Sequence, residues 1–245
     1  KYGIWITLSS IIAWLSFFDI GLGNGLKNKF AEAIAKNEHE IARIYVSTAY
    51  ISIGLISLLI LLIFLIVNSF LDWTKILNCS PNYYYELKWL ALIVVICFCL
   101  RFVFQLIGVI LAANQKSAMN SLLDVIGNFL ALLGIYICMQ FSKGSLLYIG
   151  AILGVIPVLV LITANGILFT KNYKKYKPTI KLFNFKYIKD ILRLGINFFI
   201  SQIASLILYQ TANFIIIQYL GPKDVTQYNI VFKYFSPIVM FFGLK

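Results

Sequence analysis

One arginine stands where an arginine is expensive. Arg101 is the thirteenth of 25 residues in the apolar run from Trp89 to Ala113. If that run is a membrane helix, Arg101 lies near the bilayer midplane, where insertion scales charge about 2.5–3.5 kcal/mol for it. Such a residue must face protein or water. Gln105 shares its helical face and Gly108 follows one turn on, so the side is a polar strip. A guanidinium matches phosphate oxygens in bidentate fashion, which suits the strip to an anionic ligand. The structural alternative is an Arg bonded to neighbouring helix carbonyls or to an acid. Asp124 is the nearest acid in sequence. It lies about three residues into the next run, whereas Arg101 lies about twelve before the end of its own, an axial offset of roughly 14 Å. Direct pairing of Arg101 with Asp124 is therefore not expected.

Asp124 shares a face with Gly127, Asn128 and Ala131. It reads either as an anchor for the start of its helix or as a group for cation coupling or sugar hydrogen bonding. In a later run Asn197, Ser201, Ser205 and Tyr209 follow one another at i+4, a slowly drifting polar ridge. The ridge suits a cavity wall for a hydroxyl-rich ligand and equally the polar glue between membrane helices. Lys233 lies about four residues inside the last run, where it either faces a cavity or snorkels outward. The candidate ligand-contacting residues are thus Arg101, Gln105, Asn128, Asn197, Ser201 and Lys233.

The elements that carry these residues follow from composition. The 245 residues are 61% hydrophobic and 12% charged, about half the charged fraction of a soluble domain. Long runs with at most one charge follow one another: Ile4–Ile20 around Asp19, Ile44–Val67, Trp89–Ala113, Leu122–Phe141, Leu146–Phe169 and Gly195–Leu220. Each is near the roughly 17–25 residues that a helix needs to cross the hydrocarbon core. Barrel strands would alternate over about ten residues, which these runs do not. The expectation is an all-α polytopic membrane protein with about six complete spans and one partial one, which starts around Asn229. Both ends look cut, with a helix expected upstream.

The basic residues set an orientation. If the first run enters from outside, thirteen Lys and Arg fall in one set of connections and five in the other. The positive-inside rule places the first set in the cytoplasm. The net charge of +12 then reflects topology and contact with anionic lipids, not nucleic-acid binding. The connection from Thr170 to Leu194 holds eight basic residues and one acid, and is the best internal boundary. Within it Ile188, Ile191, Leu192 and Gly195 recur opposite Lys186, Lys189 and Arg193, an amphipathic interfacial helix; a solvated basic loop is the alternative.

Asp19 closes the first run, and Gly21, Gly23 and Gly25 follow at alternating positions. Glycine there allows tight turning or close helix contact, so these residues read as a hinge into a surface helix over Leu26–Ala42. Asp19 reads as structural or coupling. Pro157, twelfth of 24 residues in its run, is expected to kink its helix. The glycine spacing is no dinucleotide fingerprint, no Gly-Lys-Ser phosphate cradle is present, and His39 between Glu38 and Glu40 reads as solvated. No catalytic residue, metal site or disulfide is assigned; Cys97 and Cys99 point to opposite sides of a helix.

Two segments carry a family likeness. "YGIWITLSSIIAWLSFFDIGLGNGLKNKFAEAIAKNE", Tyr2 to Glu38, and "ARIYVSTAY", Ala42 to Tyr50, resemble the second helix, cytoplasmic connection and start of the third helix of Wzx-type polysaccharide flippases. These flippases, which handle O-antigen and capsule repeat units, belong to the multidrug/oligosaccharidyl-lipid/polysaccharide exporter superfamily. The resemblance implies two lobes of six helices around a central cavity. Residues 1–169 would carry helices two to six, residues 170–194 the inter-lobe linker, and residues 195–245 the start of the second lobe. It further implies a multi-pass protein of the bacterial inner membrane that flips polyprenyl-pyrophosphate-linked oligosaccharide outward. No cofactor is implied; coupling to a proton or sodium gradient is, and so is work beside a polysaccharide polymerase and assembly proteins. Two competitors remain: a cation-coupled multidrug exporter of the same fold, and a membrane-embedded polymerase. The outside loop Asn68–Leu87, with only Asp72, Lys75 and Glu86 charged, argues against the polymerase.

Overall fold

The computed structural model describes residues 2–13, 21–141 and 145–243; the side chains of Tyr2, 11–13, Phe141, Asn197, Phe198, Ser201, Gln202, Ser205, Leu206, 208–210 and 237–243 lie outside that description. Asp19 falls outside it altogether, and of Asn197 and Ser201 only the helical backbone is described. Ten α-helices and no strand occur among the described residues: α1 (Tyr2–Ala13), α2 (Leu22–Ala35), α3 (His39–Val67), α4 (Trp73–Ile76), α5 (Tyr84–Phe104), α6 (Leu106–Ala113), α7 (Ser117–Phe141), α8 (Leu146–Thr170), α9 (Phe185–Tyr219) and α10 (Pro222–Gly243).

Four helical segments among the described residues are long and apolar enough to cross a membrane: His39–Val67, Pro81–Ala113, Ser117–Gln140 and Leu146–Thr170. Their outward faces remain bare. Leu58, Leu62 and Ile66 of α3 and Val125, Phe129 and Leu132 of α7 are all exposed, the composition of a surface solvated by lipid tails.

Capping fixes the helix ends. Asn184 and Ser145 each accept a bond from the backbone N–H two residues on, starting α9 and α8. Asn37 and Gln115 adopt positive φ just after α2 and α6, and paired backbone bonds, such as Glu38 N–H to Ala33 and Asn37 N–H to Ile34, close the last turn. The surface helix expected over Leu26–Ala42 therefore ends at Ala35, and α3 begins at His39.

Two buried clusters hold the bundle. One gathers Leu26, Phe30, Val46, Phe102, Ile107 and Ile191 at the end that carries the basic connection. The other gathers Leu8, Trp73, Leu87, Leu90, Val95 and Ile217 at the opposite end. α9 runs antiparallel to α1 and α2. A Cβ on Gly21 would lie 2.2 Å from the Gly195 carbonyl, and one on Gly25 would lie 2.0 Å from the Ile191 carbonyl. Only glycine permits that approach, and Gly21 also holds φ +78°. The amphipathic stretch before residue 195 is continuous with the following span in one 35-residue helix.

The basic connection lies along α3. The Thr179 N–H donates to the Ser47 hydroxyl at 3.1 Å, Arg43 Nε donates to the Lys177 carbonyl at 3.1 Å, and the Asn184 N–H donates to the Thr48 hydroxyl at 3.3 Å. Its Tyr173 and Tyr176 are buried while its lysines face out. His39 is exposed but not merely solvated: its Nδ1 lies 2.8 Å from the Tyr176 hydroxyl, whose pKa is pushed up by burial.

Candidate functional site

Arg101 sits at the mouth of a half-open cavity of about 310 Å3 between α1, α5 and α8. From α5 the wall is Val94, Cys97, Phe98, Arg101 and Phe102, with Gln105 just past the helix end. From α1 come Trp5 and Ser9, one turn apart, and from α8 Leu153, Gly154 and Val158. Gly154 leaves room in the wall, where a Cβ would lie 3.2 Å from Cys97 Sγ, and Gly150 lets Leu90 and the Trp5 ring pack closely against α8, a Cβ there lying 2.8 Å from that ring.

The wall is apolar with a few polar exceptions. The Ser9 hydroxyl is buried and has no hydrogen-bond partner among the described residues. Pro157, inside α8, has no N–H, so the Leu153 carbonyl loses its helical donor. Pro157 also packs against α7, where a Cβ on Gly127 would lie 3.2 Å from its Cα.

The structure corrects one expectation directly. Arg101 Nη2 lies 3.7 Å from Asp124 Oδ1, with both side chains about half exposed. The pairing is possible because α7 starts at Ser117, so Asp124 is seven residues into its helix. The offset from Arg101 falls to about 7 Å. The separation exceeds hydrogen-bond distance, so the contact is a loose ion pair.

A second polar centre lies one turn beyond Arg101. The Gly108 N–H bonds the Gln105 carbonyl, three residues back, and the helix is interrupted at Gln105 between α5 and α6. The Phe104 carbonyl, so released, accepts from Asn165 Nδ2 at 2.8 Å. The same amide donates to Leu161 at 2.8 Å and accepts from the Tyr50 hydroxyl at 2.7 Å. Asn165 thus fixes the helix break that presents Arg101 and Gln105. Gly108 itself is buried, facing Asn120 of α7, so the polar strip ends at Gln105.

The remaining expected residues are scattered. Asn128 is exposed on α7, and Gly127 and Ala131, expected on its face, are buried. Lys233 is exposed on α10, and neither it nor Asn128 lines the Arg101 cavity. Gly23 lies in α2, half-buried, between the two close contacts of Gly21 and Gly25. Sequence reasoning missed Asn165, Tyr50 and a further buried network in which Asn213 donates to Ser10 Oγ at 2.9 Å and Asn229 donates to Asn213 at 2.6 Å, tying α1, α9 and α10. The signal for these was an amide inside or at the edge of an apolar run, a rare and costly placement.

The described helices thus form an apolar bundle with Arg101 at the edge of a largely apolar groove. The chain belongs to the polysaccharide biosynthesis protein family, whose pattern it matches over residues 5–244. It is 25% identical over 246 aligned positions to a Salmonella typhimurium (strain LT2) protein named "Putative O-antigen transporter", an alignment covering 96% of this chain and 53% of that one. The chain spans about half the length of this curated relative. Its fold is similar, at a TM-score of 0.74 and 19% identity, to the inward-facing conformation of a multidrug resistance MATE family transporter of the MOP superfamily, over 96% of this chain and 57% of that one.

Proposed function

We propose that the complete protein is a flippase that carries polyprenyl-pyrophosphate-linked oligosaccharide from the cytoplasmic to the periplasmic leaflet of a bacterial inner membrane. The observation that carries this reading is Arg101: half exposed, in a loose 3.7 Å ion pair, at the edge of a half-open groove. An arginine so placed attracts a pyrophosphate over distance and then binds it through a two-pronged contact. The family and the name of the Salmonella relative support a lipid-linked saccharide as cargo. The charged residue in the cavity wall is basic, which favours an anionic cargo over the cationic drugs of a multidrug exporter. Asp124 competes with the cargo for Arg101, and it is the group through which a proton gradient would act. The chain performs no covalent chemistry in this reading; a polymerase and assembly proteins act on what it delivers.

The test is delivery of lipid-linked oligosaccharide to the periplasmic leaflet in cells lacking their own flippase. Arg101→Lys keeps the charge and should retain part of the transport; Arg101→Gln should lower it at least tenfold at unchanged accumulation. Parent-level delivery by Arg101→Gln sinks the head-group role. The orientation is tested separately. A cysteine at position 177 on a cysteine-free background should resist an impermeant reagent added from the periplasm, and labelling there would reverse the topology.

A further inference from the structure

The cavity beside Arg101 is longer and greasier than an anion needs. Val94 lies seven residues from Arg101 along α5, about 10 Å deeper. Between them the wall is Cys97, Phe98, Leu153 and Val158, closed at the far side by Trp5. A sugar would meet Trp5 and Phe98 to stack on but few of the hydroxyls, amides and charges that fix a saccharide in place. An apolar chain would gain the transfer free energy of leaving water. At about 310 Å3 the volume is at the lower end of the roughly 300–1,000 Å3 of ligand sites, enough for one chain segment.

We infer that this groove takes the head-proximal isoprenoid segment of a prenyl pyrophosphate whose phosphates sit at Arg101. The inference rests on Arg101 being the head-group site of a flippase and adds where the lipid goes. Charge complementarity sets the direction: the charged group of the described wall is at the mouth, and everything deeper is apolar apart from the Ser9 hydroxyl and the Leu153 carbonyl. The groove lies between α1, α5 and α8, and because Leu100 of α5 and Leu159 of α8 are exposed to acyl chains nearby, competition by bulk lipid belongs in the test. A two-chain phospholipid would have to leave one chain outside. Gly154 keeps the groove open beside Cys97, so a larger residue there closes it without touching Arg101.

The experiment uses the full-length protein in phosphatidylcholine nanodiscs, with farnesyl pyrophosphate bearing a benzophenone at the end of its chain. Retained probe reports binding, and mass spectrometry of the photolabelled protein reports where the chain lies. The label is expected on Val94 or Trp5 at the deep end of the groove, and Arg101→Gln should cut retention at least tenfold. Gly154→Leu should reduce groove labelling at least fivefold; if that variant does not accumulate, the label positions in the parent decide. Retention that depends on Arg101 with label on α7 or α9 overturns the groove and leaves the head-group reading intact. Retention indifferent to Arg101→Gln overturns both. Phosphatidylglycerol competing as well as unlabelled farnesyl pyrophosphate overturns the prenyl assignment and gives the groove to ordinary lipid.

Discussion

Two polar centres lie one helical turn apart along α5 and α6, and they are built on opposite plans. At Asn165 every strong group is satisfied: the amide donates twice and accepts once, from Tyr50, within 2.7–2.8 Å, and both side chains are buried. At Arg101 the charge is half exposed and its partner lies beyond hydrogen-bond range. The closed centre holds a helix break in place. The open one keeps its donors for something else. In a membrane, where an unmet polar group costs several kcal/mol, this contrast separates a group that serves the fold from one that, in the proposed reading, serves a ligand.

Asn165→Leu should break the closed centre, and it should destabilise the protein more than substitution of either Asp124 or Glu32. It leaves the Phe104 carbonyl and Tyr50 hydroxyl unpaired at about 1–3 kcal/mol each, seen as a melting temperature lower by several degrees in detergent. Adding Tyr50→Phe should recover part of that loss, because one orphan is then removed; no recovery would mean that the network is not the cause. Asp124→Asn should act in the opposite way. An exposed ion pair contributes about 0–1 kcal/mol, so melting should stay near the parent's while farnesyl pyrophosphate retention rises several-fold, Arg101 having lost its competitor. A lower melting temperature with unchanged retention would make the pair structural and erase the contrast. The smallest effect belongs to Glu32, exposed between Lys29 and Lys36 at 2.8 and 2.7 Å. Hydrogen bonds from these lysines hold its carboxyl down from 4.5 to about 2. Its contribution is therefore complete above pH 4.5 and lost as pH falls towards 2. The slight difference between the parent and Glu32→Gln at pH 7 should vanish over that window in acid titration followed by circular dichroism.

The helical spans were legible because they depend on burial in hydrocarbon, which composition reports. The Arg101–Asp124 pair was not. Hydropathy marked the run from Leu122, whereas the helix begins at Ser117, whose polar first turn lies outside any apolar window. A membrane boundary and a helix boundary are different things, and the five residues between them halve the axial offset. Asn165, Asn213 and Asn229 escaped for another reason. A neutral amide hardly shifts a hydropathy average, and whether it is glue or ligand depends on which helix lies opposite, which only the tertiary fold decides. The surface helix at Leu26–Ala42 was overextended because Asn37 closes it with a left-handed turn, a conformation that Asn tolerates and does not require.

The antiparallel seating of α9 on α1 and α2 has a consequence for biogenesis. Its described contacts to Gly21, Gly25, Ser10 and the α4 turn, where Gln218 and Asn78 exchange bonds with the opposing backbone, all reach residues synthesised more than a hundred positions earlier. When α9 leaves the translocon these earlier partners are already in place, and α10 joins it afterwards through Asn229 and Asn213. The glycine faces that receive it need no side-chain rearrangement, so the helix can be seated as a preformed rod during synthesis. A valine at Gly25 would then show itself first as a nascent chain arrested before docking and handed to membrane proteases, even before any transport assay could register it.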